Sequence, residues 1–146
     1  MSLEYSAIKI STNEAETIAK ELFNLSGEAV ALDGEADFNF KIQTTNKNYL
    51  LKISRPAENP DYVDFQSMLL QHAATKNAME IPEIILDING SAISKVKDEN
   101  GEDRLVRLTS WIEGRLWSSV NPITNTLLHS LGEFAGLLTE GFQDFE

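Results

Sequence analysis

The chain has 146 residues, an apolar fraction of 42%, a net charge of −11 and no cysteine, which suits one globular domain without disulfides or thiolate metal sites. The acidic charge argues against a nucleic-acid surface, because binding to a phosphate backbone needs clustered Lys and Arg. No apolar run approaches the roughly 20 residues that span a bilayer, and the first residues lack the pattern of a signal peptide, so we expect a cytoplasmic protein without a membrane partner.

A short amphipathic helix is predicted over about residues 12–24. Ser11 and Glu14 have the spacing of a capping box, in which the two side chains satisfy free N–H groups at a helix start. Apolar residues then recur at helical spacing, and Gly27 lies just past the expected end. Residues 1–10 are interpreted as a leader.

Three strands are predicted next, because the apolar pattern changes to the alternation of a half-buried strand. They cover residues 29–32, 38–43 and 49–53, with turn-like segments at 33–37 and 46–48. The third strand carries Lys52 between apolar neighbours. Since the connections are too short for helical crossovers, we expect these strands to be antiparallel.

A second helix is predicted to begin at Asn59-Pro60, because Asn is a favoured N-cap and Pro suits the first helical position. It is expected to end near Asn77 and to bury one apolar face. The residues of that face are Tyr62, Phe65, Leu69 and Ala73.

The second half of the sheet is predicted to contain a hairpin. Residues 81–86 and 92–96 read as strands, and Asn89-Gly90 between them is a strong hairpin turn signal. A charged loop at 98–103 precedes the last strand, 105–109.

A third helix is predicted to open at Asn121-Pro122. Its apolar face consists of Leu127, Leu131, Phe134, Ala135 and Leu138. The elements together predict an α+β fold: an antiparallel sheet of about five strands, with a helix inserted after the third strand and a helix at each end.

Four segments carry a resemblance to a known family: GEADFNF (34–40), YLLKI (49–53), DFQ (64–66) and RLTSWIEGR (107–115). In their order and spacing they resemble the small lobe of hydroxylysine kinase and the aminoglycoside phosphotransferases, over roughly residues 10–145. The resemblance implies the nucleotide-covering lobe of a kinase-like fold. Within it, residues 11–108 form the sheet and inserted helix, 109–121 a hinge and linker, and 122–146 the start of the large lobe.

The same resemblance implies an activity and a set of nucleotide-binding residues. The activity is transfer of the γ-phosphate of ATP or GTP, with magnesium, to a hydroxyl group of a small amine-bearing molecule. Lys52 binds the phosphates, a turn covers them, and the hinge presents backbone groups to the base. The implied turn and hinge residues are Gly34, Glu35, Ala36, Asp37 and Asn39, and Ser110, Trp111 and Ile112.

The helix partner of Lys52 departs from the usual pattern, in which an acidic residue fixes the lysine. Here Gln66 stands at that place and is expected to hydrogen-bond Lys52 without adding a countercharge. Asp64 lies about 200° around the helix from Gln66, so both cannot point at Lys52. Each feature also has an ordinary interpretation: Lys52 suits the solvent side of an edge strand, the turn suits a plain hairpin, and Trp111 suits a core.

The groups that would complete a kinase are not found in these residues. Neither His72 nor His129 is followed by an aspartate at the spacing of a catalytic loop, and neither has neighbours at metal-ligand spacing. We therefore expect no catalytic or metal residue, no required cofactor and no kinase activity in this piece, whose end we interpret as a cut from a longer protein.

Two other functions remain open at this point. The chain can be a kinase-like binding or regulatory module, for example fused to a class III pyridoxal-phosphate-dependent aminotransferase, or an interaction domain whose strand order is accidental. The apolar face of the third helix is expected to pack on the sheet or on a second copy of the chain.

Overall fold

The computed structural model describes residues 9–34, 37–76 and 80–145 and confirms the α+β class. The helices are Thr12–Phe23 (α1), Pro60–Thr75 (α2) and Asn125–Phe142 (α3), with a short 3-10 helix at Trp117–Ser119. The strands are Glu28–Leu32 (β1), Phe38–Gln43 (β2), Asn48–Ile53 (β3), Ile84–Ile85 (β4), Ser94–Lys97 (β5) and Asp103–Ser110 (β6).

The sheet is antiparallel and six-stranded, one strand more than the expected number, in the order β1-β2-β3-β6-β4 with β5 also on β6. The predicted hairpin between the fourth and fifth strands is wrong. Ile84 pairs with Thr109 and Ser94 pairs with Val106, so β4 and β5 lie end to end along the same long strand. The turn at Asn89-Gly90 does form, with Gly90 at φ 82°. It closes a side loop between the two strands, because β6 is long enough to pair with both.

Helix α1 covers one face of the sheet and closes the core. Its capping box is present, with Ser11 N–H donating to the Glu14 carboxylate at 2.7 Å. The helix ends with Asn24 in the left-handed conformation (φ 54°), so Asn24 provides the C-cap that was expected near Gly27. The core between α1 and the sheet consists of Ala15, Ala19, Phe23, Ala29, Phe40, Ile42, Leu51, Ile53, Val106 and Leu108.

Helix α2 covers the opposite face but does not bury the predicted stripe. Asn59 caps it by accepting from Asp61 N–H at 3.0 Å, as expected. The buried residues are Val63, Ser67 and Ala73, whereas Tyr62 and Phe65 are 57% and 49% exposed. The prediction was right for Ala73 and wrong for the two aromatic residues. The side chains that α2 buries are therefore smaller than those predicted. Asn77, the predicted end, lies outside the described residues.

Helix α3 begins later than predicted and packs mainly against α2. Its N-cap is Thr124, which accepts from Leu127 N–H at 3.2 Å, so the helix does not open at Asn121-Pro122. The two helices meet where Gly141 is buried beside Lys76. No helix of the described residues is both long and apolar enough to span a lipid bilayer.

Candidate functional site

A row of three polar residues crosses the α2 face of the sheet. Lys52 on β3 pairs directly with Asn39 on β2 and with Arg107 on β6. Their neighbours Leu51 and Ile53 are buried on the α1 face, so strand alternation directs Lys52 to the other side. Lys52 therefore lies in a central strand and not on an edge.

The amino group of Lys52 meets the turn that follows β1. Its Nζ lies 3.3 Å from Oδ2 of Asp37, and the two side chains are 33% and 14% exposed. The side chains of Lys52 and Asp37 thus meet on the α2 face of the sheet. Glu35 and Ala36, which were expected to belong to the same turn, lie outside the described residues.

The turn approaches the sheet so closely that Gly34 has no room for a side chain. An added Cβ would lie 2.2 Å from Nδ2 of Asn39 and 2.6 Å from the backbone oxygen of Asp37. Asn39 in turn donates to that Asp37 oxygen at 3.3 Å. The expected residues Gly34, Asp37 and Asn39 are therefore brought together over the strand of Lys52.

Gln66 does not take the partner that was expected for it. Its Oε1 accepts from Nη1 of Arg107 at 2.9 Å, and Nη2 of Arg107 lies 3.3 Å from Oδ2 of Asp37. The predicted hydrogen bond from Lys52 to Gln66 is replaced, because the guanidinium lies between the helix and the turn and has donors for both. Arg107 had no predicted role in the site. The sequence did contain a signal for it, because Arg107 is the one cation in the otherwise apolar strand segment LVRL (105–108).

A cavity of about 260 Å³ opens beside the polar row, between the sheet and α2. Lys52, Gln66 and Arg107 line its polar side, and Leu50 and Leu70 line its apolar side. Two buried oxygens nearby, Oγ1 of Thr109 and Oδ1 of Asn39, have no hydrogen-bond partner among the described residues. A ligand with both anionic and hydrogen-bonding groups matches this combination.

The expected hinge overlaps the end of β6, because Ser110 is the last residue of that strand. Two of the hinge N–H groups already donate hydrogen bonds within the fold. Ser110 N–H donates to the Glu83 carbonyl at 2.8 Å, and Trp111 N–H donates to the Asn48 carbonyl at 3.2 Å. Among the described residues no acceptor lies against the N–H of Ile112. Of the three hinge residues, Ile112 has the amide that remains available to a ligand.

Trp111 is held by neighbouring charges. The ammonium group of Lys41 lies 4.3 Å from its ring centroid, a cation–π contact that covers one face of the indole. Glu113 accepts from Nδ2 of Asn48 at 2.9 Å, and this hydrogen bond, with a smaller effect of the Lys41 charge, lowers the pKa of Glu113. These contacts hold β2 and the start of β3 against the hinge.

Neither histidine belongs to the site. His72 contacts Asp144 at 3.0 Å and His129 contacts Glu133 at 3.4 Å, both on helices. Within residues 9–34, 37–76 and 80–145 no group of three or more His, Cys, Asp or Glu side chains is placed to hold a metal ion.

Comparison with known proteins relates this fold to phosphotransferases. The model of the phosphotransferase enzyme family (APH) matches residues 28–146. Amicoumacin kinase hAmiN, solved with AMP-PNP, Ca2+ and Ami, superimposes with a TM-score of 0.77 at 16% identity, over 100% of this chain and 44% of its own.

Two further solved structures are similar. The microcompartment-associated aminopropanol kinase has a TM-score of 0.71 at 16% identity, over 93% of this chain and 42% of its own. Spectinomycin phosphotransferase APH(9)-Ia, in complex with ADP and spectinomycin, has a TM-score of 0.66 at 14% identity, over 92% and 39%. This chain thus spans about two fifths of the proteins it resembles. Among curated protein sequences, none is significantly similar to it.

Proposed function

We propose that this chain is the nucleotide-binding lobe of a kinase acting on a small, amine-bearing alcohol. The chain belongs to the phosphotransferase enzyme family. The observation that carries the proposal is the convergence of Lys52 with the turn after β1, at 3.3 Å from Asp37. A lysine on the third strand beneath a close turn suits the α- and β-phosphates of a nucleotide.

The other residues of the site take roles that follow from their positions. The turn from Gly34 to Asp37 covers the phosphates, supported from below by Asn39. The base enters between Leu50 and the hinge, where the N–H of Ile112 is available to it. Residues 109–121 then act as the connection to a large lobe whose first helix is α3.

Magnesium and the catalytic aspartate come from outside these residues. The described part of the chain has no acidic cluster for a metal, and phosphoryl transfer depends on metal ions and on a residue that orients the acceptor hydroxyl. Since neither His72 nor His129 is followed by an aspartate at catalytic-loop spacing, we expect the 146-residue chain alone to transfer no phosphate. ATP or GTP and the alcohol are partners of the whole protein.

The test is nucleotide affinity in the longest natural form of the protein. Calorimetric titration with ATP and with GTP, each with magnesium, is expected to give binding that Lys52→Ala weakens about tenfold or more, because a charge-assisted contact to phosphate is lost. Lys95→Gln, an exposed cation on β5, is the matched control and leaves the affinity unchanged.

Two results separate this function from the others. Equal affinity in Lys52→Ala and wild type overturns the proposal and favours an interaction domain. Tight nucleotide binding, without phosphate transfer to any of a panel of amino alcohols, favours the binding or regulatory module, such as one fused to an aminotransferase.

A further inference from the structure

Among the described residues, the carboxylate that pairs with the Lys52 ammonium group comes from Asp37 in the turn and not from the helix. Asp37 Oδ2 lies 3.3 Å from Lys52 Nζ, whereas the helix offers Gln66, a neutral side chain already bonded to Arg107. A lysine on a strand has a long, flexible side chain, so its charge needs a fixed partner to be held at one place. In this chain Asp37 is in the position to provide it.

Arg107 joins that carboxylate to the helix. The same oxygen of Asp37 lies 3.3 Å from both Lys52 Nζ and Arg107 Nη2, while Arg107 Nη1 donates to Gln66 at 2.9 Å. Asp37 and Arg107 are each only 14% exposed. Because a planar guanidinium holds its donors in a rigid fork, the contact to the turn and the contact to α2 cannot move independently.

We propose that Asp37 is the positioning residue of Lys52 and that Arg107 couples this pair to Gln66 of α2. The proposal rests on the proposed function and adds to it the source of the countercharge. The turn over the phosphates, the lysine and the helix then form one connected unit. Asp37 in the turn supplies the countercharge that an acidic helix residue supplies in the usual pattern, and Gln66 holds Arg107.

The test moves the negative charge from the turn to the helix. In the longest natural form of the protein, Asp37→Asn is expected to weaken binding of magnesium ATP about tenfold, because Lys52 loses the charge that holds it. In the double variant Asp37→Asn/Gln66→Glu, the new carboxylate faces Arg107 and Lys52 from α2. The affinity is then expected to return to within about threefold of the wild type.

A matched control isolates the effect of position. Asp103→Asn removes an aspartate that also pairs with a lysine, Lys97, at 2.9 Å, but on the exposed end of β6, so it leaves the affinity unchanged. If Asp37→Asn does not fold, Asp37→Glu keeps the charge and displaces it by one methylene. A positioning role predicts an affinity about threefold lower for that variant.

Three results overturn the inference. Tighter binding in Asp37→Asn means that the carboxylate occupies the place of a phosphate oxygen and competes with it. Unchanged binding in Asp37→Asn, or in Asp37→Glu, removes the positioning role. Weaker binding that Gln66→Glu does not restore shows that Asp37 only supports the fold. If the proposed function itself is wrong, Lys52→Ala also binds ATP with the affinity of the wild type, which distinguishes the two failures.

Discussion

At the scale of single residues, the buried guanidinium group of Arg104 has a carboxylate partner, Asp98. Arg104 is fully buried, and its guanidinium donates to Asp98 at 2.7 and 2.8 Å and to the Ser54 carbonyl at 3.0 Å. These contacts tie the charged loop before β6 to the segment that leaves β3. A buried cation is tolerated only when its donors are satisfied in this way.

Arg104→Met tests how much this contact contributes to stability. The substitution keeps most of the volume but leaves one oxygen of the Asp98 carboxylate and the Ser54 carbonyl without their donor, so we expect the free energy of unfolding in urea to fall by about 2–3 kcal/mol. Lys97→Met, which breaks the exposed pair with Asp103, should leave the urea midpoint almost unchanged. Equal effects of the two substitutions would contradict the structural role given to Arg104.

At the scale of secondary-structure elements, α3 is held to α2 by charged and aromatic contacts of the residues that directly follow it, Asp144 and Phe145. Asp144 accepts from Lys76 at 2.6 Å and lies 3.0 Å from His72, and the rings of Phe65 and Phe145 are 5.7 Å apart. Much of the remaining surface of α3 is exposed. The position of this helix therefore depends on the residues that follow its C-terminal end.

The contact at Asp144 predicts a stability that depends on pH. The hydrogen bond from Lys76, and then that from His72, lowers the pKa of Asp144 below its ordinary value of 3.8. A carboxylate with a lowered pKa stabilises the fold above about pH 4, and this contribution is lost as the pH falls through the lowered pKa. Asp144→Asn should therefore reduce stability in urea at pH 6 and have less effect at pH 3.

Glu133→Gln is the control for this prediction. Glu133 also lies beside a histidine on α3, but both side chains are largely exposed, so the substitution should change stability little at either pH. An effect of Asp144→Asn that is the same at pH 3 and pH 6 would show that its charge does not hold α3.

At the scale of the whole molecule, an apolar surface remains uncovered along α3. Leu128, Leu131, Phe134 and Leu137 are between 39% and 50% exposed. A groove of about 580 Å³ with mostly apolar walls lies between α2 and α3, bordered by Leu69, Phe134, Leu138 and Phe142. Surfaces of this kind mark contacts with further protein.

The 146-residue chain on its own is therefore expected to self-associate through α3. Sedimentation velocity should show a larger species whose fraction grows with concentration, and Leu131→Glu should return it to the monomer, because a charge in an apolar contact must be desolvated. Thr126→Glu, which adds the same charge at an exposed polar position of the helix, should not. A monomer at every concentration would refute this expectation.

The sequence by itself determined the local elements and much of their order. Capping residues such as Ser11 and Asn59 marked helix starts, because a cap is a contact between near neighbours in the chain. Alternation of apolar and polar residues predicted the strands, including the one that carries Lys52. Turn-forming residues predicted the turns between them. The resemblance to phosphotransferases came from the same segments, and the family was confirmed.

Only the tertiary structure decided which elements lie side by side. The register of β6 placed Arg107 beside Lys52, which directed Gln66 to the arginine and left Asp37 as the carboxylate next to the lysine. The same strand paired with both β4 and β5, where a local turn signal had predicted a hairpin. These outcomes depend on contacts between residues far apart in the chain. Packing and charge in the folded state determine which residues meet, and such contacts leave no periodic signal in the sequence.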